Sequence, residues 1–342
     1  MVTVVVGGQF GSEGKGAVCG YLHKKQPYDY AVRIGGPNAG HTIYDDTGRG
    51  YPLRSIPVAA VCDPRATLIV AAGSEIDLKV LEGEVELLEA DGHSVLGRLV
   101  IDPEATLIED HHLVQESGLA NGTTGKGIGA ARSSRLMRMA RRVADVQDGW
   151  LGSDRFRWQI GVVVGDTGAI LRRAQSSSNR ILIEGTQGYG LGSHAGLYPH
   201  CTSGDCRAID FMAQAGLAPS AADVWVVLRT HPIRIAGNSG PLRGEMDWGR
   251  VGVPAEYTTV TKKMRRVGEW DTELAHASVQ ANGGRDASVA LTFADYWWPY
   301  LSGCSAAFFD AATEQKLSEL EDEIGSSIDL LGTGPSTHIE RS

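Results

Sequence analysis

The sequence predicts an α/β protein, with a single large, mainly parallel central sheet, helices on both faces, and residues 1–342 forming one domain. Three observations predict it. The chain opens on a P-loop-like strand, glycine loop and helix. β-branched apolar runs then alternate with helical segments to the C-terminus. No repeat, low-complexity stretch or polar linker interrupts them.

Val2-Thr3-Val4-Val5-Val6 reads as a strand buried on both faces, because β-branched side chains suit a pleated core. Gly7 to Gly16 follows as a glycine-rich turn, and Ala17 to Lys25 as a helix with a basic last turn. Glycines let backbone N–H groups approach an anion and Lys15 adds a charge, so the unit reads as a phosphate cradle. It is not a Walker A loop. Gln9 stands where the first glycine is required, and Gly16 where a metal-binding Ser or Thr belongs.

Tyr30 to Ile34 is a short strand entering a second glycine loop, Gly35 to Thr42, which contains His41. A histidine among backbone donors beside a phosphate cradle reads as a ligand contact, although a lone histidine is more often structural. Thr67 to Ala71 is a strand, Leu78 to Ala90 a helix, and Arg98 to Asp102 a strand stopped by Pro103. His111 and His112 are adjacent, so they point apart and read as a solvated pair rather than a metal site. Asn121 to Gly129 is a third glycine loop. The helix after it is rich in arginine, with Arg135, Arg138 and Arg142 on one face.

Ile181 to Glu184 is a strand leading into Gly185-Thr186-Gln187-Gly188, and Asp223 to Leu228 a strand containing a tryptophan. Glu256 to Gly268 is a loop in which hydroxyls precede cations, a combination suited to a carboxylate ligand. Val289 to Asp295 is a strand end, Glu314 to Ile324 an amphipathic helix, and Gly332 to Pro335 a closing loop.

The composition is that of a soluble protein, 42% hydrophobic and 21% charged, and the 44 glycines cluster in loops. A net charge of −9 argues against nucleic acid as a partner. No apolar run approaches the roughly 20 residues of a membrane helix. The five cysteines lack metal-ligand spacing and read as free thiols in a reducing cytoplasm.

The motifs in their order resemble adenylosuccinate synthetases from end to end. Residues 7–16 match the family's opening segment except that Ser12 replaces its usual Asp. Residues 35–42 resemble its Gly-Gly-x-Asn-Ala-Gly-His-Thr signature, residues 123–129 its Thr-Thr-Gly-x-Gly-Ile-Gly, and residues 184–188 its Glu-Gly-x-Gln-Gly. Tyr198 to Ser203 and Val260 to Arg266 resemble its Tyr-Pro-x-x-Thr-Ser and Thr-Thr-Gly-Arg-x-Arg-Arg segments. Lys263 replaces the first arginine of the latter, which weakens a bidentate contact. Phe293 replaces the lysine of the family's base-reading Thr-Lys-x-Asp, and Asp295 is kept.

The resemblance implies a homodimeric ligase that phosphorylates a purine 6-oxygen and lets aspartate displace the phosphate. It implies His41, Lys15 and Ser12 as catalytic residues. The nucleoside monophosphate would be held by Ser12, Asn38, Thr123, Thr124, Gln187, Thr202, Lys263 and, from the partner subunit, the residue equivalent to Arg138. L-Aspartate would be held by Val260, Thr261, Lys262, Lys263, Arg265 and Arg266. The donor triphosphate would meet Gly11, Glu13, Gly14, Lys15, Gly16, Ala17, Gly40, Thr42, Arg265, Phe293, Asp295, Gly332 and Gly334, with Mg²⁺ at the Gly40 carbonyl and Ser12.

Ser12 leaves three possibilities: an inactive enzyme, another route for the purine N1 proton, or a different monophosphate. A serine opens room beside N1 for the 2-amino group of dGMP and can accept a hydrogen bond from it. A phage-type branch of the family, the 2-aminoadenylosuccinate synthetases, resembles the chain in that serine and in Val-Thr-Lys-Lys. It implies dGMP as substrate and ATP or dATP as donor, with GTP possible. Use of IMP and GTP is the alternative within the family, and a nucleotide switch or sensor the alternative from another class.

Overall fold

The computed structural model describes residues 1–119, 123–146, 162–258 and 262–341. Ten strands form the central sheet: β1 (Val2–Gly7), β2 (Tyr30–Arg33), β3 (Thr67–Val70), β4 (Leu99–Ile101) and β5 (Val163–Val164). The others are β6 (Ile181–Glu184), β7 (Asp223–Arg229), β8 (Ser288–Thr292), β9 (Ile328–Gly332) and β10 (His338–Glu340). Their order is β10-β9-β8-β7-β1-β6-β2-β3-β4-β5, and every neighbouring pair is parallel except β9–β10.

The predicted mainly parallel sheet is therefore present, and β1 shows why it is buried on both sides. Val2, Val4 and Val6 join an apolar layer with Phe211 and Met212, whereas Val5 faces the other layer with Val18 and Leu22. Each such buried valine contributes on the order of 1.5–3 kcal/mol. The helix Leu78–Ala90 has the predicted bounds, and Asp77 caps it by accepting from Lys79 N at 3.0 Å.

Two readings are corrected. The arginine helix is Ile128–Leu136 and ends before Arg138, which sits in a left-handed turn at φ 63°. Arg142 lies beyond the helix, so the predicted shared face does not form; Arg135 and Arg142 both pair with Glu104 of the same chain, at 2.8 and 2.7 Å. His112 is buried rather than solvated. Its Nδ1 accepts from Glu109 N at 3.1 Å, capping the helix Asp110–Ser117, and its ring centre lies 3.9 Å from that of His111.

The chain leaves β1 towards β2 on one side of the sheet and returns to β7 on the other, so β1 lies at a topological switch point. The carboxyl ends of β1, β6 and β7 then border a crevice, where ligands of open α/β sheets bind. A hairpin of His41–Tyr44 and Gly50–Leu53, not read from the sequence, packs on the helix Lys15–Lys25 beside this crevice. Gly16 makes that approach possible, since a Cβ there would lie 2.8 Å from His41 Cβ. No helix among the described residues is long and apolar enough to cross a membrane.

Candidate active site

The crevice is a cleft of about 1220 Å³. It brings together Gly11, Ser12, Gly14, Lys15, Gly16, Ala17, Asn38, Gly40, His41, Thr42, Thr123, Thr124, Gln187, Thr202, Lys263, Arg265, Phe293, Asp295, Gly332 and Gly334.

The first loop is shaped by an acid turned inwards. Glu13 is fully buried; its Oε1 accepts from Gly11 N at 2.7 Å and Gln9 N at 3.2 Å, and its Oε2 from Lys15 Nζ at 2.6 Å. Glu13 lies under the loop rather than in the cleft lining, and its side chain organises the loop. Lys15 Nζ also donates to the Gln187 carbonyl at 2.5 Å, which ties the first loop to the one after β6. No side chain caps the helix that starts at Lys15, and its first N–H groups suit an anion. Ser12 stands exposed above them at φ 58°.

The second loop places His41. Arg33, the last residue of β2, bonds Ala39 O at 2.6 Å and also contacts His41 Nδ1. Glu184, the last residue of β6 and the register partner of Arg33, lies 3.1 Å from the same Nδ1 and accepts from Val58 N at 2.7 Å. Burial, then Arg33 and Lys15, hold the His41 pKa well below its ordinary value, so the ring is neutral at pH 7. Its Nε2 has no partner. Burial pushes the Glu184 carboxyl up to about 7. Charged residues ending two buried strands were the sequence signal for this pair, and they were missed.

The third loop repeats the device of the first. Glu116, also overlooked, accepts from Thr123 Oγ1 at 3.1 Å, Gly127 N at 2.8 Å and Gly129 N at 2.5 Å. Asn38, Gln187 and Thr202 also border a small recess of about 20 Å³, room for roughly one water, beside the buried ion pair of Arg132 and Glu75.

The cation loop is only partly in the cleft. Lys263 and Arg265 line it, but Arg266 turns away. Glu245 holds Arg266 at 2.5 and 2.7 Å, and Arg266 donates to Gly240 O at 2.7 Å. That ion pair turns Arg266 away from the cleft that Lys263 and Arg265 line. Lys262 is also outside the cleft lining, in a left-handed conformation at φ 53° where the family motif has glycine. Val260 and Thr261 lie outside the described residues.

Phe293 adopts φ 57°, and its ring centre lies 3.9 Å from the Arg229 guanidinium carbon, so one face is covered by a cation. Asp295 is half-buried, which raises its pKa. Arg138 lies outside the cleft of its own chain, between the exposed Met137 and Met139. All five cysteines are free, and burial pushes Cys62 and Cys206 up to about 12, which makes them poor nucleophiles.

Among the described residues no group of three or more His, Cys, Asp or Glu side chains is placed to hold a metal. A metal carried by nucleotide phosphates needs only one or two protein oxygens. Gly40 and Ser12 both line the cleft.

The profile of the family described as adenylosuccinate synthetase matches residues 4–163 and 153–297. The adenylosuccinate synthetase of Methanocaldococcus jannaschii is 33% identical over 346 residues, covering 98% of this chain and 95% of the relative. Among solved structures, the cyanophage S-2L succinoaminodeoxyadenylate synthetase bound to dGMP, with dATP as an energy donor, superposes with a TM-score of 0.81. It is 29% identical and covers 98% of this chain and 93% of the other. A fully ligated adenylosuccinate synthetase from Plasmodium falciparum gives a TM-score of 0.84 at 20% identity over the whole of both chains, a likeness of fold.

Proposed function

The chain belongs to the adenylosuccinate synthetase family of C–N ligases, and from that premise we propose that it joins L-aspartate to C6 of dGMP, giving 2-amino-2′-deoxyadenylosuccinate. The observation that carries this reading is Ser12. It stands exposed in the cleft that also holds Asn38, Gln187 and Thr202, where family members have an aspartate. A carboxylate there crowds a purine 2-amino group, whereas a hydroxyl leaves room and accepts one of its hydrogens. The cyanophage relative bound to dGMP and dATP supports the same choice of monophosphate and an adenine donor.

The residues divide the work. Backbone N–H groups at Lys15 and Gly16 receive the donor phosphates. His41, neutral and with Nε2 unpartnered, donates to the 6-oxygen as it takes the phosphoryl group. Lys263 and Arg265 draw in the aspartate carboxylates. The Gly40 carbonyl and the Ser12 hydroxyl would hold Mg²⁺, which would supply neutralisation of the phosphate charge. The exposed Leu136, Met137 and Met139 beside Arg138 form the apolar surface on which a second copy would seat, bringing Arg138 to the partner's monophosphate. The product stands on the route to diaminopurine deoxynucleotides for viral DNA made in a host cytoplasm.

A second reading, IMP as substrate with GTP as donor, is favoured by the archaeal relatives. One assay separates the two. IMP, dIMP, GMP and dGMP are each tested against ATP, dATP and GTP with saturating aspartate, and product formation is followed by chromatography. Turnover of dGMP with an adenine donor is expected, and a preference for IMP would overturn the proposal.

A further inference from the structure

Arg229 is fully buried at the carboxyl end of β7 and touches the first loop, Glu256 and Phe293. Gln9 of the first loop clamps its backbone: Arg229 N donates to Gln9 Oε1 at 3.0 Å, and Gln9 Nε2 donates to Arg229 O at 3.0 Å. Its guanidinium donates from Nη1 to the carbonyl of Ser12 at 3.1 Å. From Nη1 and Nη2 it also donates to the Glu256 carboxylate, at 3.3 and 2.5 Å. The guanidinium carbon lies 3.9 Å from the centre of the Phe293 ring.

Glu256 opens the loop that carries Lys263 and Arg265. It accepts from Tyr296 OH at 3.2 Å and lies 3.7 Å from Arg265 Nη1. Burial works to raise its pKa, but Arg229 leads the groups that overcome it and hold the value below the ordinary one. A buried guanidinium needs that carboxylate, because a charge left unpaired inside is strongly destabilising. The planar fork has little freedom to keep one of these contacts and drop another.

The geometry points to Arg229 as a positioning residue that makes the donor nucleotide and aspartate bind cooperatively. It rests on the ligase reading but not on dGMP as the substrate. Donor seated between the first loop and Phe293 packs against the two groups that flank the guanidinium and so favours the arrangement seen here. The guanidinium fixes Glu256, and with it the loop whose cations receive aspartate. By linkage, each ligand then strengthens the other by the same factor. Arg229 itself touches neither reacting atom.

The test is calorimetric titration of L-aspartate into the protein saturated with dGMP, or with IMP if dGMP does not bind, with and without a non-hydrolysable ATP analogue. In the wild type the analogue is expected to tighten aspartate binding at least about fivefold. Glu256→Gln keeps the shape of the side chain and removes its charge, and should abolish that gain. Arg229→Lys keeps a charge near Glu256 without the fork, and should lose the coupling while a cooperative melting transition shows that it still folds. A buried arginine with a merely structural role would move stability alone. Coupling absent in the wild type, aspartate that does not bind, or coupling unchanged in both variants would each overturn the inference. Turnover of aspartate with any purine monophosphate reports separately on the ligase reading.

Discussion

Glu184 Oε2 lies 3.1 Å from His41 Nδ1, the ring nitrogen that accepts from Arg33, so that Nε2 carries the ring's hydrogen and is left without a partner. If that nitrogen donates to charge developing at the purine 6-oxygen, its loss is felt in the chemical step. His41→Ala is expected to lower kcat by roughly 10²–10³, the usual effect of removing one preorganised donor. Steady-state kinetics should show the monophosphate KM little changed. A defect confined to KM would return His41 to a packing role.

The same pair makes stability depend on pH. Burial raises the Glu184 pKa from an ordinary 4.5 to about 7, against the opposing pull of Arg33. Between those values the folded chain keeps a proton that the unfolded chain has released, so this group makes stability fall as pH rises through the interval. Its stabilising share is fully present below 4.5 and is lost above about 7. Glu184→Gln cannot titrate, and its melting temperature should therefore fall less than the wild type's from pH 5 to 7. The free energy involved is of order 1–3 kcal/mol. Parallel profiles by scanning calorimetry would remove Glu184 from the explanation.

Gly188 tests the packing beneath the first loop. A Cβ there would stand 2.6 Å from the Gln9 carbonyl oxygen and against Glu13 Oε1. Neither atom has room to retreat, since both residues are buried and held in hydrogen bonds. Gly188→Ala should cost roughly 1–3 kcal/mol in denaturant unfolding and raise the donor KM. Gly83, in mid-helix with nothing within 4 Å of a built Cβ, is the control. Gly83→Ala should stabilise by about 0.5–1 kcal/mol.

The strands and glycine loops were legible in the sequence because their signals are local. Branched apolar runs mark buried strands, and glycines mark places where backbone meets a ligand or another chain segment. Acids that act across distance were not legible. Glu13 read as a contact of the donor nucleotide and Glu116 was not singled out, yet Glu13 accepts N–H groups of its own loop and Glu116, on the helix Asp110–Ser117, those of Gly127 and Gly129. Arg33 and Glu184 are 151 residues apart and meet only because β2 and β6 are neighbours in register. Arg229 lay one residue past the predicted end of its strand, where a charge reads as a boundary. Arg266 followed a motif but was captured by Glu245, a partner that sequence spacing does not reveal. The family motif stated which residue types belong near the site; tertiary pairing decided which of them face the cleft.

Arg138 offers a test of the proposed second copy. It lies outside the cleft of its own chain, so a role at the monophosphate requires another subunit. Arg138→Leu should raise the monophosphate KM about tenfold or more, the equivalent of one charge-assisted contact. The donor KM should stay near the wild-type value. Mixed with Lys15→Ala protein, itself inactive, it should regain part of the activity, because a hybrid dimer has one site with both residues intact. Mass spectrometry of the mixture confirms subunit exchange; hybrids that form but stay inactive would exclude a shared site.

The substrate preference turns on Ser12, and its conformation sharpens the prediction. The residue sits at φ 58° with its carbonyl held by Arg229 Nη1 at 3.1 Å, so the peptide is anchored while the side chain stands exposed in the cleft. A substitution there changes what meets the purine without releasing the loop. A hydroxyl that accepts from the 2-amino group of dGMP is left unpaired by a purine lacking that group. The wild type is therefore expected to show kcat/KM for dGMP at least about tenfold above that for IMP, or ~1.4 kcal/mol in transition-state binding. Ser12→Ala should narrow that ratio by taking away the acceptor. Ser12→Asp should go further: the longer carboxylate crowds the amine and depresses dGMP use, while supplying a base that recovers part of the use of IMP. Left-handed conformations are tolerated by Asp better than by most residues, so this variant should fold. Steady-state assays of the three proteins with both monophosphates, at saturating aspartate and Mg-ATP, measure the ratios. A wild type that prefers IMP, or an Asp variant that still prefers dGMP, would place the discrimination elsewhere in the cleft.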